Sequence, residues 1–464
     1  MSMMKGFSNA FRIPELRKKI LVTLGLVFVC RLIAQIPTPG VNWAALGEAL
    51  DRARDMQSTG ANLLGWFELF TGGALSQCSI GFLSIWPYIS SQIVIQLLSS
   101  IIPSLQKMRK EGENGRQQLA QITRYLTIAL CVVQAWAIAT ALSNPAMLGE
   151  GFANLNIVPH PGLGFHLMTV IGMTSASLFV MWLADQITTF GIGNGASLII
   201  MINIASRLPS AVNAAYQKYF VVDKNPMGLV LMLCIFLVVV MGTVALTQGV
   251  RKIAIHSTRR SLVGGATYGM QQTFMPLRVN YTGVMPIIFA QPLLQILSAV
   301  LKWLSAAMGG SARLNDIALA IGGSGSARAL TVHILLYGAL IVFFTFFWVA
   351  TQFNAIEISE NFKKDGSYVP GIRPGLATAE YLDDVMTKIT LIGAIGLLLL
   401  AVLPILVTNS LKVPWVISSF FGGTSLLIIV GVALDTLRIM ESHLLVRKYE
   451  GFLSHGSLRG RGGV

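Results

Sequence analysis

Ten stretches of this chain are apolar and at or near bilayer-spanning length: 20–36, 80–102, 119–143, 167–190, 195–214, 227–248, 283–307, 330–353, 387–408 and 415–440. A helix needs roughly 20 apolar residues to cross the hydrocarbon core. Within that core every backbone polar group must find its partner inside the protein, which favours helices. Ten such stretches leave one broad option, an all-α polytopic membrane protein. The composition, 54% hydrophobic and 12% charged, agrees with it.

One stretch breaks the length rule. Leu63–Leu75 is too short to span, and Glu68 and the pair Gly72-Gly73 interrupt it. Stretches of about 10–14 residues are more often re-entrant or buried. Re-entrant backbone is tolerated at membrane depth only where protein or a water-filled cavity surrounds it. The chain is therefore expected to enclose a cavity with a short helix sitting in it. The first long stretch follows Lys5, Arg12, Arg17, Lys18 and Lys19, as a signal peptide would. It carries Arg31, however, and leads into Ile36-Pro37 without a small-x-small cleavage site. It reads as a retained anchor.

The net charge of +14 is explained by orientation rather than by nucleic acid. With ten spans, one side holds the N-terminus, loops 103–124, 249–280 and 354–388, and the C-terminal end. With Arg438 at the inner end of the last stretch counted on that side, these carry 24 of the 34 Lys and Arg; the opposite loops carry nine, and Arg31 lies in a span. Cytoplasmic loops are enriched in Lys and Arg, so both termini should face the cytoplasm.

Other chemistries lack support. The four cysteines are scattered, with no C-x-x-C. The six histidines show no metal spacing, and no G-x-x-x-x-G-K-[ST] occurs. No cofactor is expected. An ion-coupled carrier keeps ionisable groups deep in its helices. Here Asp185 and Asp435 lie near the cytoplasmic ends of their stretches, and Arg31 near an outer one. A small-solute carrier built on inverted repeats stays open at this point, because interrupted helices fit it equally well. An intramembrane hydrolase would have to use Ser197 with His333, a weak pairing. Loop 354–388 holds Arg373 in the frame Val369-Pro370-Gly371-Ile372-Arg373-Pro374-Gly375, which fixes the backbone around one cation. Gln92, Gln96, Gln134, Gln291 and Gln295 lie inside spans. They read either as inter-helix glue or as a polar seam that opens more easily than an apolar one.

Six motifs occur in order along this layout: FTGGALSQCSIGFLSIWPYISSQIVIQLL (70–98), KEGENGRQQLAQITRY (110–125), FGIGNGASLII (190–200), GVMPIIFA (283–290), VPGIRPGLATAEYLDDVMTKITLIGA (369–394) and GGTSLLIIVGVALD (422–435). On these the chain resembles the SecY/Sec61-alpha family, the central subunits of the Sec protein translocase, over nearly its whole length.

The resemblance implies ten helices in two pseudo-symmetric inverted halves of five around an hourglass pore. The layout would be a cytoplasmic segment 1–19, a first half 20–214 with a plug helix 62–77, an external hinge connection 215–226, a second half 227–440 and a cytoplasmic tail 441–464. It implies a pore ring at Ile85, Ile89, Ala196, Ile200, Ile288 and Ile428, where Ala196 departs from the usual bulky aliphatic. The plug would include Leu64, Phe67, Phe70, Gly72, Gly73 and Ser76. A lateral gate would use Gln96, Gln134 and Gln291, with Gln92 and Gln295 added from i, i+4 spacing. Arg251, Lys252 and Arg373 would dock a motor or the ribosome.

The implied function is a passive protein-conducting channel of the bacterial cytoplasmic membrane, not an enzyme. It would translocate unfolded chains and release apolar segments sideways into lipid. The implied partners are SecE-like and SecG-like small membrane subunits, the SecA motor ATPase, the ribosome, and signal peptides and nascent chains as substrates in a lipid bilayer.

Overall fold

The computed structural model describes residues 13–42, 71–74, 77–144, 157–222, 226–257, 262–263, 266–267, 272–308, 311–323, 327–411 and 423–455. The chain divides into two compact units, Met1–Pro209 with Val432–Val464, and Ser210–Gly431.

The first unit opens with α1 (Pro14–Ile33). Pro14 suits the first helical position, where an N–H has no helical partner. Glu15 in the first turn and Arg31 in the last complement the helix dipole. A 3-10 turn, Ile80–Leu83, leads to α2 (Trp86–Ile101). Ile102 is extended (φ −89°, ψ 117°), as a residue before proline prefers, and so separates α2 from α3 (Pro103–Lys110). Then follow α4 (Glu113–Ser143), α5 (Leu163–Phe190) and α6 (Gly195–Ala205). The Asn194 side chain caps α6 by accepting from Ser197 N at 3.3 Å.

Helix α4 shows the inside-out pattern of a membrane helix. From Thr123 to Ala139 its buried residues (Thr123, Thr127, Cys131, Ala135 and Ala139) recur every fourth position and are all small; Leu142 at its end is the one large buried side chain among its described residues. Its outward face carries Ile128, Val132, Val133 and Trp136. In lipid, helices associate through small residues that let backbones approach, and the apolar face is left for the acyl chains. Ala135 and Ala139 pack with Phe82, Leu83, Ile157, Phe165, Val170 and Met173 in one apolar cluster.

The second unit contains α7 (Leu208–Tyr216), a π-turn over Gln217–Val222, and α8 (Pro226–Gln248). Only 17% of the apolar window in Met227–Gln248 is buried, against 56% in Ile80–Ser99. The first is therefore a peripheral helix and the second a central one. Strands β1 (Val250–Ser257), β2 (Leu262–Val263), β3 (Ala266–Thr267) and β4 (Gln272–Arg278) follow. Then come α9 (Met285–Ala307), α10 (Ala312–Gly322), α11 (Ala327–Gln352), α12 (Ala355–Lys364), β5 (Ser367–Tyr368) and α13 (Leu376–Leu411). Finally α14 (Gly423–His455) begins in this unit. The core of this unit gathers Val239, Ile287, Leu294, Tyr337, Ile341, Leu397 and Leu427.

Among the described residues, eight helical stretches are long and apolar enough to cross a membrane. The chain is thus a multi-pass helical membrane protein. Helix α1 is not among the eight, and its basic cluster Arg17, Lys18 and Lys19 together with Arg31 explains why.

Several boundaries differ from the sequence reading. Helices α4 and α13 start at Glu113 and Leu376, inside the expected loops 103–124 and 354–388, because polar residues are tolerated on helix ends outside lipid. The expected connection 215–226 is largely helical, and α10 was not anticipated. Helix α14 runs to His455, well past 440.

Candidate functional site

Residues 71–74 and 77–84 are held by the end of α1, the turn after it and α6. Ser79 Oγ donates to Ile33 O (2.9 Å) and accepts from the Gly81 N–H (3.0 Å). Thr38 N donates to Cys78 O (2.8 Å), Ile80 N to Ile36 O (2.9 Å) and Ser79 N to Ala74 O (2.9 Å). A Cβ on Gly81 would lie 3.1 Å from the Ile33 carbonyl oxygen, a tight contact that the α1 end would have to yield to accommodate.

Of the expected plug residues, Leu64, Phe67, Phe70 and Ser76 lie outside the described residues. Gly72 and Gly73 are described, with φ of +64° and +97°, a region where a Cβ is strained. The Gly72 carbonyl accepts from Arg31 Nη2 (3.2 Å) and lies 3.4 Å from Ser206 Oγ. Arg31 Nη1 donates to Asn203 Oδ1 (3.3 Å), and Asn203 Nδ2 donates to Ser84 Oγ (3.2 Å). Sequence reasoning missed these partners of Arg31. The usable signal was the charge itself, since an arginine inside an apolar span needs a buried partner.

Ile85 caps the start of α2, and Ile89 follows one turn later; both are buried. Ile200 on α6 is buried and Ala196 is half-buried. In the second unit Ile288 and Ile428 are buried, beside Ile287, Leu426 and Leu427 of that unit's core. The glutamines divide. Gln291 and Gln295 on α9 are buried, and each Oε1 accepts no hydrogen bond; the same holds for Gln134 Oε1 on α4. Gln96 is half-buried, whereas Gln92 is exposed. Gln92 therefore does not share the environment that its spacing from Gln96 suggested, because buried Ser91, Ile93 and Ile95 set the inward face of that turn.

Arg251 and Lys252 lie on β1, which pairs antiparallel with β4 (Arg251 opposite Leu277, Lys252 opposite Pro276). Strand β5 adds to the other edge of β1 (His256 opposite Tyr368), giving the order β4-β1-β5. Ile253 and Leu277 pack beneath with Val349, Val369, Leu382 and Met386. Arg373 stands on a turn tied down by Ile372 N to Val369 O (3.1 Å) and by Thr378 Oγ1 to Arg373 O (2.8 Å). Arg251, Lys252 and Arg373 are all exposed. Both long loops thus belong to one ordered element with outward cations. Among the described residues, no group of His, Cys, Asp or Glu could hold a metal ion.

Apolar spans, a helix with a buried stripe of small residues, a glycine turn held at the end of an apolar helix and an ordered basic module define a polytopic helical membrane protein. Comparison with known proteins specifies the family. The SecY family model matches residues 79–437. The protein translocase subunit SecY of Thermotoga maritima is 39% identical over 461 residues, covering 99% of this chain and all of the relative. A solved protein-conducting channel superposes with a TM-score of 0.60 at 16% identity, covering 92% of this chain and 93% of its own. Sec61 in the canine ribosome–channel complex from the endoplasmic reticulum gives 0.56 at 15% identity, covering 92% and 93%. The chain belongs to the SecY family.

Proposed function

We propose that this chain is the channel subunit of a protein translocase: it conducts unfolded polypeptides across the cytoplasmic membrane and catalyses no bond chemistry. The observation that carries the reading is the 39% identity to a translocase subunit over 99% of the chain. In this reading ten helices, counting α1 and α14 with the eight apolar stretches, form two inverted halves around an hourglass pore, and both termini are cytoplasmic. Ile85, Ile89, Ala196, Ile200, Ile288 and Ile428 form the waist. Aliphatic side chains close around a passing chain without selecting its sequence, and dewetting excludes ions when they meet.

Segment 62–77 is the plug. Gln96, Gln134, Gln291 and Gln295 line the seam that opens towards lipid. The buried amide oxygens of Gln134, Gln291 and Gln295, which accept no hydrogen bond, support this role, since opening to water would satisfy them. Arg251, Lys252 and Arg373 dock the SecA motor or the ribosome, and SecE-like and SecG-like subunits complete the assembly. Charge separation favours the channel over a solute carrier, because no carboxylate lies deep in a span to bind a coupling ion.

The waist is tested by the triple variant Ile85→Asn, Ile89→Asn, Ile288→Asn in planar bilayers. The expected result is a raised resting ion conductance; an unchanged conductance would show that these side chains do not form the seal.

A further inference from the structure

We propose that Arg31, Asn203 and Ser84 form a polar relay that holds the Gly72-Gly73 turn in the resting state and couples its departure to Ile85. The proposal rests on the channel reading above, in which 62–77 is the plug and Ile85 begins the waist.

Three segments distant in sequence meet at one amide. Asn203, on α6, is only 4% exposed and uses both ends of its side chain. Its Oδ1 accepts from Arg31 on α1, and its Nδ2 donates to Ser84 at the entry to α2. Arg31 divides its guanidinium between Asn203 and the Gly72 carbonyl. The planar fork of arginine directs two bonds from one cation in a fixed geometry, which a lysine ammonium lacks. The turn is shaped for this contact: a Cβ on Gly72 would collide with Arg31 Nη1, and a Cβ on Gly73 would lie 3.1 Å from the Arg207 guanidinium. Only a bare backbone reaches the two arginines.

The other end of the relay is strained. Ser84 has φ +47° and ψ −135°, outside the regions that a residue with a side chain prefers. Such conformations persist only where surrounding contacts over-determine them. The Asn203 bond to Ser84 Oγ and the Ser84 N–H bond to Gly81 O (3.0 Å) are two such contacts. Ser84 is followed directly by Ile85, the residue that sets the start of α2. When the turn leaves, Arg31 loses one acceptor, Asn203 is freed to reorient, and the strain at Ser84 can relax into the first waist residue. Opening of the plug is thereby communicated to the waist through four residues.

The test is hydrogen exchange on the purified full chain in lipid, with resting conductance measured on the same preparations. In Arg31→Gln we expect the amides of 71–74 to exchange about tenfold faster or more, as loss of a hydrogen bond to a charged group implies. The amides of 84–89 should accelerate with them although residue 31 does not touch them, and the resting ion conductance should rise. Asn203→Leu should give the same pattern. Acceleration confined to 71–74 would overturn the coupling, and no acceleration would overturn the relay altogether. Faster exchange at both segments with unchanged conductance would overturn its role in holding the channel closed. If Arg31→Gln does not fold, Gly72→Ala keeps every donor group in the chain but forces the turn and the Arg31 guanidinium apart, with the same outcomes decisive. Preprotein transport by the unmodified chain is measured in parallel. Its absence would refute the channel reading, whatever the exchange data say of the relay.

Discussion

At the residue scale, the chain depends on side chains that are absent as much as on those present. A Cβ on Gly195 would overlap the Ala184 carbonyl where α6 turns back on α5. Gly195→Ala is expected to destabilise the protein by about 1–3 kcal/mol, the usual cost of overpacking, read as a lowered unfolding temperature in detergent. The sequence displays such glycines without saying what approaches them. It also displayed Arg31 while hiding its partners, which are 41 and 172 positions away in the chain. Local pattern placed Gln92 beside Gln96, but burial is decided by neighbouring helices, and only Gln96 turned inward. Isoleucines 85 and 89, which a motif and one helical turn single out, are both buried.

At the element scale, the length and charge of loops 249–280 and 354–388 were visible, whereas their union was not. Strand β5 is two residues long and carries no alternation to announce it. It becomes a strand because β1 offers an open edge. Leu277 is 2% exposed in the cluster beneath the sheet. Leu277→Ala should cost about 2–5 kcal/mol locally. Amide exchange should then rise on both β1 and β5; a change confined to β4 would show that the two loops are independent. Arg373 is exposed on a turn whose backbone is held from Val369 and Thr378. Arg373→Glu should leave the unfolding temperature unchanged and abolish motor-driven preprotein transport into inverted vesicles. Unchanged transport would remove it from the docking surface.

At the scale of the whole molecule, the number of apolar stretches and the one-sided distribution of Lys and Arg set the class of fold from sequence alone. Eight of the stretches meet the length and apolarity of a span among the described residues. Helix α1, which covers most of the first, falls short because Arg17, Lys18, Lys19 and Arg31 lie within it. Tags at residues 1 and 464 should both be protease-accessible only from the cytoplasmic face; a single protected terminus would contradict an even number of spans. The central proposal is that a translocating polypeptide passes along Ile85, Ile89 and Ile200 of the first unit and Ile288 and Ile428 of the second. A preprotein stalled in transit, with photo-crosslinking groups placed one at a time at Ile85, Ile89, Ile200, Ile288 and Ile428, tests it most directly. The account predicts cross-links to the stalled chain from all five positions and none once the chain has been released. Cross-links from one unit only, or to lipid alone, would contradict it.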